Sequence, residues 1–146
     1  MTTNPWPGEW MRGVLDLCVL AVLAEGRTYG YAVAARLDEL GLGTIKGGTL
    51  YPLLARLEEA GHVTTHWEAG DGGPGRKYFA LTAAGRAALA ARADAWRTFA
   101  ALTTTITSAA TAPPAVDAAV DAAVDAAAEP ATGAPAGRPP NPQEPR

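Results

Sequence analysis

The chain has 146 residues, 48% of them hydrophobic, enough to build one folded core but not a string of large domains. Its formal charge of -3 excludes a uniformly basic nucleic-acid binder, yet the acidity is local: residues 1–110 hold ten Lys/Arg against ten Asp/Glu, and residues 111–146 hold two against five. The longest apolar stretch, residues 14–23, is interrupted by Asp16 and falls short of the roughly 20 apolar residues of a bilayer span; with no signal-like leader before it, the expected address is the cytoplasm, without a membrane partner.

A first helix is expected over about residues 9–25, where Trp10, Val14, Leu17, Leu20 and Leu23 recur at spacings of three and four, the period of one helical face. Gly26 ends it. The lone Cys18 lies among Leu17, Val19 and Leu20, where a thiol serves as a small buried hydrophobe. A second, shorter helix follows over about 30–40, with Tyr31, Ala34, Ala35 and Leu37 available for packing and Gly41 and Gly43 closing it. The third is expected to begin near Thr49, capped by its hydroxyl, with Pro52 in the first turn where the missing N–H has no partner to lose. Its Leu50, Leu53, Leu54 and Leu57 form a core stripe, leaving Tyr51, Arg56 and Glu59 facing elsewhere, and Gly61 stops it.

Beyond Gly61 the period changes. Residues 62–68 are rich in Val, Thr and Trp, and residues 77–81 alternate around Tyr78, Phe79 and Leu81, so two strands are expected about a glycine-rich tip at 70–75. Thr82 then caps a long, Ala-rich fourth helix ending between residues 102 and 108. From residue 111 the composition turns to Ala, Pro, Gly and acid, with Val-Asp-Ala-Ala repeated from Val116, Val120 and Val124, and a mostly disordered tail is expected.

Three helices, a glycine-tipped hairpin and a closing helix make a mainly α fold of the winged helix-turn-helix plan, in which the third helix enters the major groove. The start of that helix suits the task. Gly48, Thr49, Leu50 and Tyr51 offer backbone N–H groups, a hydroxyl and a phenol, Arg56 lies further along, and Arg76 and Lys77 stand where the hairpin returns. Glu58 and Glu59 fall in the later turns, away from the groove-entering end. No catalytic constellation is found: the 70–75 glycines lie inside a hairpin instead of joining a strand to a helix, and His62 and His66, metal-like in spacing only on a helix, would sit about 13 Å apart along a strand. No enzyme activity, metal or cofactor is expected.

The run Thr-Leu-Tyr-Pro-Leu-Leu-Ala-Arg-Leu-Glu at 49–58, Gly61, Gly-Arg-Lys-Tyr at 75–78 and Leu-Thr-Ala-Ala-Gly at 81–85 resembles the PadR family of transcriptional regulators, over about residues 9–106. Arg12-Gly13 and Tyr29-Gly30-Tyr31 fit as well. The resemblance implies that Thr49, Tyr51, Pro52 and Arg56 belong to the recognition helix, and Arg76 and Lys77 to the wing's phosphate-contacting end. It also implies the short PadR form, a homodimer in which the fourth helix packs on the first helix of the other subunit. Trp10, Val14, Leu17, Leu89, Ala93, Trp96, Phe99, Thr103 and Ile106 are the candidate interface. Trp96 matches a tryptophan that in multidrug-binding members stacks on flat aromatic ligands, so Trp96 and Phe99 are candidate contacts for a small aromatic effector.

The expected organisation is a flexible leader (1–8), a winged-helix DNA-binding domain (9–82), a dimerisation helix (83–108) and the tail (109–146). The leader, with its Trp6-Pro7 step, departs from the family pattern and is expected not to touch the DNA-reading parts. The expected function is a regulator, a repressor by the family's usual mode, that binds pseudo-palindromic double-stranded DNA and is released by an effector. A winged-helix module that binds protein instead of DNA is the competing reading, favoured by the near-neutral folded part.

Overall fold

A computed structural model describes residues 4–70 and 72–113. The elements are α1 (Gly8–Ala24), β1 (Thr28–Tyr29), α2 (Gly30–Glu39), α3 (Gly47–Glu59), β2 (Val63–Gly70), β3 (Gly73–Leu81) and α4 (Ala83–Ala110). The fold is thus mainly helical with a small antiparallel sheet, the winged-helix arrangement. The contacts divide the chain into two units, Met1–Thr98 and Phe99–Arg146; α4 begins in the first and ends in the second. Residues 114–146, with the Val-Asp-Ala-Ala repeats, and residues 1–3 lie outside the described part. Among the described residues no helix is long and apolar enough to cross a membrane.

The core of the first unit is built by the helical periodicity. Val19, Leu20 and Leu23 of α1, Val33 and Leu37 of α2 and the four leucines of α3 bury together with Val63 and Phe79 of the sheet. Each such side chain contributes about 1.5–3 kcal/mol of hydrophobic stabilisation. The α3 stripe is as expected, but the buried face of α1 is not. Met11, Leu15, Val19 and Val22 turn inward with Leu20 and Leu23, while Val14 and Leu17 are half-buried and Trp10 is exposed. The helix is apolar on more than one side, so spacing alone selects no single face. In α2 likewise, Val33 and Leu37 pack inward, whereas Tyr31 and Ala35 point to solvent. Cys18 is half-buried against the core, and this burial pushes its thiol pKa up.

The helix α3 begins earlier than expected. Lys46 is extended (φ -75°, ψ 147°) and its carbonyl accepts from the Thr49 and Leu50 N–H groups at 3.0 Å each, so it is the backbone of Lys46, and no side chain, that starts the helix. Thr49 is therefore the third helical residue and not the cap. Pro52 lies inside the helix, where its missing N–H leaves the Gly48 carbonyl without the usual i to i-4 bond.

The sheet has a third strand that the sequence reading did not contain. In the order β1-β3-β2, both antiparallel pairings use β3: Thr28 and Tyr29 face Phe79 and Tyr78, and β2 runs from Val63 opposite Leu81 to Gly70 opposite Gly73. Two residues are too short a run for a periodicity of two to show. The strands of the hairpin reach closer to its tip than expected, leaving a tight turn at Gly72, whose φ of 71° suits glycine.

Thr82 caps α4 as its position predicts. The Gly85 N–H donates to its Oγ at 2.9 Å, and the hydroxyl donates in turn to the Gly61 carbonyl at 2.6 Å, which ties the end of α3 to the start of α4. At Gly85 a Cβ would overlap the His62 carbonyl oxygen, so only glycine permits this approach. The helix runs to Ala110, beyond the expected end, its threonines bonding back one turn, as Thr103 does to Phe99 and Thr107 to Thr103.

Candidate nucleic-acid interface

Because Leu50, Leu53, Leu54 and Leu57 are drawn into the core, the opposite side of α3 is presented to solvent. Thr49, Pro52 and Arg56, spaced at three and four, form one exposed stripe, with Tyr51 beside it. Gly47 and Gly48 open the helix, and a Cβ at Gly48 would meet nothing within 4 Å, so the first turn is bare backbone that another molecule can approach. The Tyr51 ring lies against Gly30, where an added Cβ would come within 2.6 Å of it, and still stands 53% exposed. One edge of the Tyr51 ring and its hydroxyl thus rest on the start of α2, while about half of the side chain faces solvent.

The wing contributes two cations held in different ways. Arg76 is exposed and its guanidinium stacks 4.6 Å above the Tyr29 ring, a contact worth about 0.5–1 kcal/mol at such a site. Across the strands Arg76 faces Glu68, but that carboxylate already bonds Arg27 at 2.6 Å and His66 at 3.0 Å. Lys77 lies over Phe79 and reaches Glu58 of α3 at 3.6 Å. Glu58, expected to be a bystander, therefore links the wing to α3. A half-exposed pair of this kind contributes about 0–1 kcal/mol, so Lys77 can exchange Glu58 for a stronger anion.

The structure also places two cations to which the sequence reading gave no DNA contact. Lys46 precedes α3 and Arg12 projects from α1; both are exposed and line a cavity together with Thr49 and Arg56. The leader enters the same cavity through Asn4 and Trp6, and the Trp6 indole N–H donates to the Gly41 carbonyl at 2.9 Å. It is docked beside the start of α3, contrary to the expectation that it would not touch this region. The tryptophan itself was the available signal, since so large an apolar side chain gains by finding a surface to cover.

On α4 the candidate interface residues divide. Leu89 packs against the chain's own core and Ala93 is half-buried, whereas Trp96, Phe99 and Ile106 stand 41%, 59% and 61% exposed and Thr103 is exposed too. Among the described residues no group of His, Cys, Asp or Glu is placed to hold a metal ion.

The family model of PadR-like transcriptional regulators matches residues 19–91, from the middle of α1 through α3 and the wing into α4. This chain belongs to the PadR-like family. A PadR family transcriptional regulator of Eggerthella lenta is 33% identical, with a TM-score of 0.62 over 68% of this chain and 86% of that one. A Streptococcus transcriptional regulator is 32% identical, with a TM-score of 0.61 over 69% and 99% of the two chains. An uncharacterized protein of Lysinibacillus sphaericus is 32% identical over 89 residues, 59% of this chain and 81% of its own. The PadR-like match contains Thr49, Tyr51, Pro52, Arg56, Arg76 and Lys77; Trp10, Val14, Leu17 and the α4 residues from Ala93 on fall outside it. Transcriptional regulation is the coarse function this membership carries.

Proposed function

We propose that this PadR-like protein is a sequence-specific DNA-binding regulator, a repressor that acts as a homodimer in the cytoplasm on pseudo-palindromic double-stranded DNA. The observation that carries the reading is the exposed side of α3, Thr49, Tyr51, Pro52 and Arg56, flanked by Arg76 and Lys77 of the wing, on a helix whose four leucines are all committed to the core. Thr49 and Tyr51 contact base edges and nearby phosphates from the first turns, Arg56 reads further along the groove, and the wing cations hold the backbone. Residues 9–82 act as the reading domain and residues 83–108 as the dimerisation helix. The exposed Trp96, Phe99, Thr103 and Ile106 of α4, with Ala93 and Leu89, meet Trp10, Val14 and Leu17 of a second copy. Trp96 and Phe99 are the candidate contacts for a small aromatic effector that releases the DNA.

Two-fold symmetry of the protein demands matching half-sites about one or two helical turns apart. The test is a titration of labelled duplex by fluorescence anisotropy at two salt concentrations. Steep weakening with salt, and a slope smaller by about one in Arg76→Ala, are expected if the wing neutralises phosphates. Affinity indifferent to salt supports the protein-interaction reading instead.

A further inference from the structure

Arg12, Lys46 and Arg56 gather around one cleft at the start of α3. All three are exposed. Elsewhere among the described residues the cations are largely taken, Arg27 by Glu68, Arg36 by Glu25, Lys77 by Glu58, Arg92 by Asp16 and Arg97 by Asp94, whereas Arg12, Lys46 and Arg56 make no such ion pair. The one carboxylate that lines the cleft, Asp16, lies 4.0 Å from Arg92 of α4, so the cleft keeps a surplus of positive charge. Its place along α3 says which anion that charge suits. Lys77 of the wing reaches Glu58 in the last turn of α3, and Lys46 immediately precedes the first turn. The 13 residues of α3 span about 20 Å, and a major groove is about 12 Å wide, so cations at the two ends of this helix stand far enough apart to meet both of the phosphate strands that border the groove.

The leader fixes where these cations stand. The Trp6 indole N–H donates to the Gly41 carbonyl at 2.9 Å, the Trp6 backbone N–H donates to Asn4 Oδ1 at 3.0 Å, and Pro5 lies so close to Gly43 that a Cβ there would come within 2.8 Å of its Cδ. Gly41 and Gly43 belong to the loop that leads from α2 to Lys46. At its other end the leader starts α1, the Pro7 carbonyl accepting from the N–H groups of Trp10 and Met11 at 3.0 and 3.2 Å, one turn from Arg12. One short segment therefore ties the helix that carries Arg12 to the loop that carries Lys46.

We infer that Arg12 and Lys46 form a second phosphate grip on DNA, at the end of α3 away from the wing, and that Trp6 is its positioning residue. The grip rests on the DNA reading proposed above and adds contacts of its own to it; Arg12 and the leader precede residues 19–91, the part matched by the family model. Its cations meet backbone oxygens and not base edges, so the grip adds affinity and fixes the register of α3 without choosing a sequence.

The test uses the full-length protein on duplex DNA from upstream of its own gene, with affinity followed against salt and contacted phosphates mapped by ethylation interference. Arg12→Gln/Lys46→Gln is expected to bind every duplex more weakly, to reduce the slope of log affinity against log salt by about 1.8 for each protomer bound, and to keep the ranking of sequences. It should lose a set of phosphate contacts different from the set lost in Arg76→Ala. Trp6→Ala removes no charge, so a smaller slope in that variant, with its helical circular dichroism retained, reports that Arg12 and Lys46 have lost their place. An unchanged slope in the double variant, or loss of the same phosphates as in Arg76→Ala, would overturn the grip while leaving the DNA reading intact. An unchanged slope in Trp6→Ala removes the positioning role, and a wild type that binds no duplex removes the DNA reading and the grip together.

Discussion

At the scale of single residues, the reading of α3 separates two kinds of contact. Arg76 sits on the wing, stacked on Tyr29, and on the proposed DNA reading its charge would serve any phosphate backbone, so Arg76→Ala is expected to weaken binding to all duplexes alike. Tyr51 lies against Gly30 near the start of α3, the end proposed to enter the groove, so Tyr51→Ala is expected also to change which sequences are preferred, by about 1–3 kcal/mol at the affected base pair. A competition binding assay over a set of operator variants distinguishes the two; identical behaviour of both mutants would remove this division of labour. Much of this stripe was legible in the sequence, because leucines at three and four leave the intervening positions no choice but solvent. The partners of the charged residues were not. That Lys77 meets Glu58, and that Glu68 is occupied by Arg27, depends on how the hairpin folds over α3, and no local spacing encodes it.

At the scale of elements, the junction of α3, β2 and α4 is constrained by Thr82 and Gly85. Thr82 both caps α4 and bonds the Gly61 carbonyl, so Thr82→Ala is expected to cost about 1 kcal/mol or somewhat more, seen as a lower urea midpoint. Gly85→Ala is the harsher change. It forces a methyl onto the His62 carbonyl, and the backbone shift that relieves this is expected to cost about 1–3 kcal/mol; a mutant as stable as the wild type would mean that the approach of α4 to β2 is looser than described. The sequence shows Thr82 as a cap from the helix that follows it, but it conceals the need for glycine three residues later, which comes from a neighbour more than twenty positions away. The start of α3 was misplaced for a related reason: the carbonyl of Lys46, a backbone group common to every residue type, does the capping.

At the scale of the whole molecule, titration of a helix junction offers an independent check on the first unit. Arg36 of α2 hydrogen-bonds Glu25 at the end of α1 with Nε at 2.9 Å, and this contact holds the Glu25 carboxyl below its ordinary pKa while raising that of Arg36. A lowered folded-state value means that the contribution is present above the ordinary carboxylate pKa and is lost as pH falls through the folded value. The stability difference between wild type and Glu25→Gln should therefore shrink in acid, as followed by urea melts across that range; a constant difference would mean that the pair contributes nothing. The overall plan of helices and hairpin was readable from periodicity, glycines and caps. The docking of the leader on the helix-turn-helix was not, since a tryptophan in a short polar segment does not reveal which surface it covers.

The central claim is that the exposed side of α3 and the wing read DNA. The most direct measurement is a gel-shift titration of the purified protein on DNA from upstream of its own gene, with random DNA as competitor. A tight shift that resists the competitor and weakens with salt is the predicted result, whereas the absence of any shift at low salt would contradict the account.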